Sequence, residues 1–306
     1  MFDLYTDDSI LAGPSEQEIK DIISDIRSIG LDITEEGDIQ DFLGIHIEKK
    51  SDGTIKLSQR HLIVQILHDL KMDIDDLKIK ETPCKSSEIL KVGSQSKPFD
   101  GSFHYQSIIG KLNYLEKGNR SDISYITHQC ARYTENPMEI HAKDIRWLAR
   151  YLKGSRTKGF IMEPDLTKGI EIFIDTDFAG NWDCNNSLNP DTARSRHGYI
   201  IKVHGCPIVW KSQLQTEIAL SSSESEYTGL LYALREAIPI MHLITELSNM
   251  GFLYKQDPPK IFFEVFEDNS GAIEMANIHK YRPRTKHLNS KLHHFRQYIN
   301  DGSVIV

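Results

Sequence analysis

Ile172-Phe173-Ile174-Asp175-Thr176-Asp177-Phe178-Ala179-Gly180 is an apolar, strand-like run that ends in two acids and a glycine turn. A buried strand does not carry an acid at its end without a counter-charge, unless that acid merely opens an exposed turn. Downstream, Gly198 to Val203 and Cys206 to Trp210 read as two further strands joined by His204-Gly205, and Ile261 to Phe266 as another. Helical spacing marks a long helix from about Ser222 to 248, which Pro239 should kink or break, then Asn269 to Ala276 and Asn289 to Tyr298. A strand, a hairpin, a helix, a strand and two helices describe an α/β (α+β) unit, a mixed sheet flanked by helices.

Upstream of this unit the chain reads differently. Met1 to Gly13 places Asp7 and Asp8 between two apolar runs, as the tip of a tight hairpin would. Ser15 and Glu18 form a capping box ahead of Ile19, Ile22, Ile23, Ile26 and Ile29 at helical spacing. Phe42 to Ser58 alternates around an Asp52-Gly53 turn and predicts a β-hairpin. A helix is expected over about 59–70, an irregular connection from Asp75 to Gly101, helices over about 103–117, 121–133 and 137–153, and a short strand over 159–163. With 306 residues, two domains are expected, 1–165 and 166–306.

Hydrophobic content of 39% with 26% charged residues is that of a globular chain. No apolar run reaches the roughly 18 residues that span a bilayer and no secretory signal opens the chain, so an intracellular, non-membrane protein, cytoplasmic or nuclear, is expected. The four cysteines fall in no CxxC pair, which fits reduced thiols. Net charge is -8, so any polyanionic partner must be held locally. Two basic clusters can do that. One runs through Arg282, Arg284, Lys286, His287, Lys291, His293, His294 and Arg296; the other, Lys143 to Lys158, reads equally well as a solvated helix face.

Three distant acids carry the chemistry. Asp175 closes its strand; Glu226 shares a helix face with Gly229, Leu230 and Ala233, small enough to lie close on a sheet; Asp268 follows the strand ending at Phe266. Glu224 points roughly 200° away from Glu226 and suits the first helical turn. Asp268 can also be read as a helix N-cap. Phosphodiester hydrolysis draws on two Mg²⁺ ions about 3.5–4 Å apart. Such hard ions take carboxylate oxygens and keep several waters, so acids at strand ends and helix starts are the pattern this chemistry requires.

These stretches resemble the Pol polyprotein of Ty1/copia-type retrotransposons. FIDTDFAG looks like that family's first RNase H strand, ALSSSESEY like its helix motif, FEDNSGA like its third acid motif and RPRTKHLNSKLHHFR like its closing basic segment. LYTDD resembles the reverse transcriptase YxDD turn, DFLGIHI and IKLSQ the hairpin after it, and YQSIIGKLNYL, RSDISY and HQCARY the region joining polymerase to RNase H. The resemblance implies an RNase H-like domain that cuts the RNA strand of an RNA/DNA hybrid with Mg²⁺ or Mn²⁺. It is preceded by a partial reverse transcriptase palm, thumb and connection.

It places Asp175, Glu226 and Asp268 at metal-binding positions and Asn289 at the usual fourth acid, where an amide is a weaker ligand. Asp177, on the same strand face as Asp175, stands in reserve. Asp7 and Asp8 match polymerase positions whose partner acid is missing, so no DNA synthesis is expected from this chain alone; a longer Pol would supply the rest. A silent hybrid-binding remnant and a DNA-cutting transposase or resolvase are the rival readings. Asn289 favours the first, and nothing resembling a terminal-sequence recognition domain supports the second.

Overall fold

The computed structural model describes residues 2–5, 8–13, 15–85, 90, 96–184, 187–251, 263–277 and 295–306. The chain opens with an isolated hairpin of β1 (Phe2–Tyr5) and β2 (Asp8–Leu11), in which Tyr5 faces Asp8. Helix α1 (Glu16–Ser28) follows, its first turn closed by the Ser15 hydroxyl accepting the Glu18 N–H at 3.4 Å. Isoleucine spacing correctly marks this helix, yet none of its residues is buried, and Ile22 and Ile29 are exposed.

Two cores come next. The first belongs to α2 (Arg60–Asp69), α3 (Tyr105–Asn119), α4 (Ser124–Ala131) and α5 (Glu139–Gly154), which enclose Ile63, Ile66, Leu112, Leu115, Leu148 and Leu152. Beside these helices lies a four-stranded antiparallel sheet of β3 (Asp41–Phe42), β4 (Ile45–Lys49), β5 (Ile55–Ser58) and β6 (Phe160–Met162). The expected Asp52-Gly53 turn links β4 to β5: Asp52 accepts the Thr54 N–H at 2.9 Å and Gly53 takes a φ of 87°. Pairing of β6 with β5, across about a hundred residues, ties the end of the helical stretch back to the hairpin.

The second core is built on a mixed sheet of order β11-β10-β7-β8-β9. The quoted stretch is β7 (Ile170–Asp177); β8 (Arg196–Val203) runs antiparallel to it and β9 (Cys206–Leu214) antiparallel to β8, these two joined by His204 and Gly205 at φ 51° and 77°. On the other edge of β7, β10 (Phe263–Phe266) lies parallel to it and β11 (Val304–Ile305) parallel to β10. Ile170, Ile172 and Ile174 alternate into the interior, as period-two patterning dictates. Over them packs α6 (Ser222–Asn249), with Leu230, Ala233, Leu234 and Ala237 buried. Helix α7 (Ser270–Asn277) and a helical segment at 295–300 complete this layer.

Of the expected kink or break at Pro239, the break does not occur: α6 runs continuously through it. The prolyl ring and Arg235, whose carbonyl loses its i+4 donor, both lie on the exposed side of the helix. Trp210 on β9 bridges the two cores: its indole N–H donates to the Glu116 carbonyl at 3.1 Å and its ring meets Phe160 edge-on at 4.8 Å.

Gly229 sets how closely α6 approaches β7. A Cβ there would stand 2.7 Å from Thr176 Oγ1 and 3.4 Å from Ile174 Cγ2. Gly229→Val should therefore destabilise the second unit by about 1–3 kcal/mol through overpacking, outweighing the small gain in helix propensity. A thermal melt checks this, and an unchanged midpoint would mean that α6 can lift off the sheet freely.

Candidate active site

Because β7 and β10 are parallel, their C-terminal ends lie side by side. Phe266 sits opposite Phe173, and their rings stack at 4.7 Å. The residues after each strand emerge at one edge of the core: Asp175 near the end of β7, Glu267 and Asp268 just beyond β10. The first turns of α6 bring Glu226 to the same place. Carboxylate oxygens of Glu226, Glu267 and Asp268 all lie within 4.8 Å of one another.

Glu226 is the buried member, 7% exposed. Burial pushes its carboxyl up to about 7; the nearby Thr176 hydroxyl acts downward, while the charges of Glu267, Asp175 and Asp268 push it further up. Glu267 is likewise raised, by burial first, opposed by the Asn269 N–H and reinforced by Asp268 and Asp175. Asp175 is exposed on β7, opposite Gly198 of β8, and both Glu226 and the half-buried Glu267 feel its charge. Among the described residues, Oε2 of Glu226 and Oε2 of Glu267 have no hydrogen-bond partner. Among the described residues, no ion pair engages these converging carboxylates with their unpaired buried oxygens. An all-oxygen, anionic donor set suits a hard divalent cation, so this group can hold a metal ion.

Local chemistry explains why these acids are free to point inward. Asn269, not Asp268, caps α7: its Oδ1 accepts the Ala272 N–H at 3.0 Å. Ser223 of α6 donates to the same Oδ1 at 3.2 Å, and a Cβ on Gly271 would stand 2.5 Å from the Ser223 hydroxyl. The starts of two helices are thus drawn together beside the acids. Glu224 serves the beginning of α6, accepting the Leu220 N–H at 2.9 Å, while its own N–H donates to Ser221 Oγ at 3.2 Å.

Asp177 shares the exposed face of β7 with Asp175. Its carboxylate, however, folds over Gly180, where a Cβ would stand 1.9 Å from Oδ2. Its charge is felt by Arg196 and Tyr125 and does not figure among the main causes of the Glu226 and Glu267 shifts. Asn289, Arg284, Lys286, His287, His294 and Asp7 lie outside the described residues. Asp8 is exposed in the separate N-terminal hairpin. In the middle basic cluster, Arg146 is committed to structure, bound to Glu139 at 2.8 Å and to Ser102 at 2.8 Å. Sequence reasoning missed Glu267. The acid pair Glu267-Asp268 was its only trace, because strand alternation stops at Phe266 and no longer tells which way the next side chain turns.

No family model matches the chain. It is 28% identical to the Retrovirus-related Pol polyprotein from transposon TNT 1-94 of Nicotiana tabacum, over 99% of this chain and 22% of that protein. It is equally similar, at 28%, to the Retrovirus-related Pol polyprotein from transposon RE2 of Arabidopsis thaliana, over 99% of this chain and 19% of that one. The uncharacterized mitochondrial protein AtMg00810 of Arabidopsis thaliana is 30% identical over 74% of this chain and 88% of its own length. Its homologues at about 28% identity over 99% of the chain are Ty1/copia-type retrovirus-related Pol polyproteins from transposons. It spans about a fifth of the length of the TNT 1-94 and RE2 polyproteins. Among the described residues, no helix is long and apolar enough to cross a membrane.

Proposed function

We propose that residues 166–306 of this Pol chain form an RNase H-like domain hydrolysing the RNA strand of RNA/DNA hybrids, and that residues 1–165 correspond to the C-terminal part of a reverse transcriptase. The observation that carries this reading is the meeting of Glu226, Glu267 and Asp268 beside the paired ends of β7 and β10, with Asp175 near enough for its charge to act on Glu226 and Glu267. The sheet order β11-β10-β7-β8-β9 with α6 across it supports the same reading, as does similarity to transposon Pol polyproteins over 99% of the chain. Asp175, Glu226 and Asp268 would hold Mg²⁺ or Mn²⁺. When bound, such ions neutralise charge on the phosphate oxygens and lower the pKa of a coordinated water. The chain's own contribution is to fix the carboxylates: Glu226 from a helix pinned at Gly229, Asp268 from a strand end freed of capping by Asn269. The basic stretch from Arg284 through Lys286 and His287 to His294 would meet the hybrid backbone, offsetting a net charge of -8.

Incubating the purified chain with a labelled hybrid under Mg²⁺ and under Mn²⁺ tests the proposal. The RNA strand should be cut and the DNA strand left whole; a hybrid intact under both metals would overturn it. Preference for duplex DNA would point to a transposase-like enzyme instead. The second reading, a silent hybrid-binding remnant, is favoured by the amide at Asn289. It would stand if the native chain binds hybrid without cutting it and Asn289→Asp restores cleavage.

A further inference from the structure

Resting on the hydrolase reading, we propose that Glu267 is a metal ligand of this site, supplying the carboxylate that position 289 lacks. Glu267 Oε1 accepts the Asn269 N–H at 3.1 Å, which fixes the carboxyl group and leaves Oε2 buried and without a hydrogen-bond partner among the described residues. One of its oxygens lies within 4.8 Å of ligand-capable oxygens on both Glu226 and Asp268. Glu226 provides the independent sign that something charged belongs there: it is 7% exposed, yet its Oε2 has no partner among the described residues. A carboxylate removed so far from water, with the Thr176 hydroxyl near it and one oxygen unpartnered among the described residues, is costly unless a cation meets it.

The charge count agrees. With Asn289 neutral, Asp175, Glu226 and Asp268 carry three negative charges against the four positive charges of two divalent ions. Glu267 makes the count even. Its position is supported as metal ligands usually are, by a chain of outer hydrogen bonds: Asn269 N–H to Glu267, and Ser223 Oγ to Asn269 Oδ1 at 3.2 Å.

Titration of the full chain with Mn²⁺ alone, following the loss of free Mn²⁺ by electron paramagnetic resonance, tests this without reference to cleavage. Glu267→Gln keeps an acceptor for the Asn269 N–H and removes the charge; it should weaken Mn²⁺ binding by roughly 10–100-fold or more. Adding Asn289→Asp to it should recover much of the loss. Binding that Asp175→Asn weakens but Glu267→Gln leaves as in the native chain would overturn the assignment of Glu267 while leaving the hydrolase reading in place. A native chain that binds no Mn²⁺ would overturn both. Circular dichroism and the thermal midpoint of Glu267→Gln should match the native protein, which separates a lost ligand from a lost fold.

Discussion

Glu226→Gln is expected to reduce cleavage of an RNA/DNA hybrid by on the order of 10²–10³-fold, the scale on which losing one preorganised electrostatic contact acts in a site that must stabilise transition-state charge. The substitution keeps side-chain volume and removes only the charge, so its effect reports ligand character. Single-turnover assays with enzyme in excess would measure it. The same change should leave the metal-free protein as stable as the native chain, or more so. Glu226 is buried with an unpartnered Oε2, and the charges of Glu267, Asp175 and Asp268 act against its ionised form. Converting such a carboxyl to an amide relieves that conflict. Lost activity with a maintained or raised Tm is therefore the signature. Full activity in Glu226→Gln would show that the acid cluster is not the catalytic site.

Asp175→Asn should fall in the same range, whereas Asp177→Asn should lie close to the native rate. The two aspartates share a strand face, but only Asp175 is among the charges felt at Glu226 and Glu267, while Asp177 lies over Gly180 and near Arg196. The contrast between neighbours two residues apart is sharper than either effect alone.

What could be read from the residues follows from periodicity. Ile170, Ile172 and Ile174 had to alternate into a core, and a small face built of Gly229 and Ala233 selected Glu226 over Glu224 as the inward acid. Period is a local property, and where local order ends so does its reach. Glu267 lies one residue past β10, where side-chain direction is set by the Asn269 cap. β11 is two residues long, too short for a pattern, and exists because β10 offers it a parallel edge. Pro239 reads as a breaker until its exposed setting is known. The isoleucines of α1 satisfy every rule for a helix and still find no core among the described residues, since amphipathicity marks a helix and not what covers it.

Arg120→Ala should cost about 3 kcal/mol of stability in the helical unit, the lower end for breaking a buried ion pair because Asp122 retains some access to water. Arg120 is 1% exposed. Its Nε and Nη2 each reach a different oxygen of Asp122 at 2.8 Å, and Nη1 and Nη2 donate to the Ser155 carbonyl and hydroxyl at 3.1 and 2.9 Å. The fork thus joins the turn after α3 to the end of α5, and Tyr151 closes it from above, its hydroxyl donating to Asp122 at 2.5 Å. Alanine leaves a carboxylate and a carbonyl without donors and a cavity where the guanidinium lay. Lysine should rescue little, having no planar fork to span Asp122 and Ser155 together. The pH dependence carries a definite sign. Burial pushes the Asp122 carboxyl up, but hydrogen bonding and charge from Arg120, with Tyr151, more than offset it and hold the group below its ordinary range. A depressed carboxyl contributes stability that is fully present above its unfolded value, near 4, and is lost as pH falls through the lower folded value. Urea midpoints of native protein and Arg120→Ala should therefore differ by a constant amount between about pH 5 and 8 and draw closer as pH falls below about 4, at unchanged m-value. A gap undiminished in acid would assign the whole cost to the cavity and the Ser155 contacts, and not to the pair.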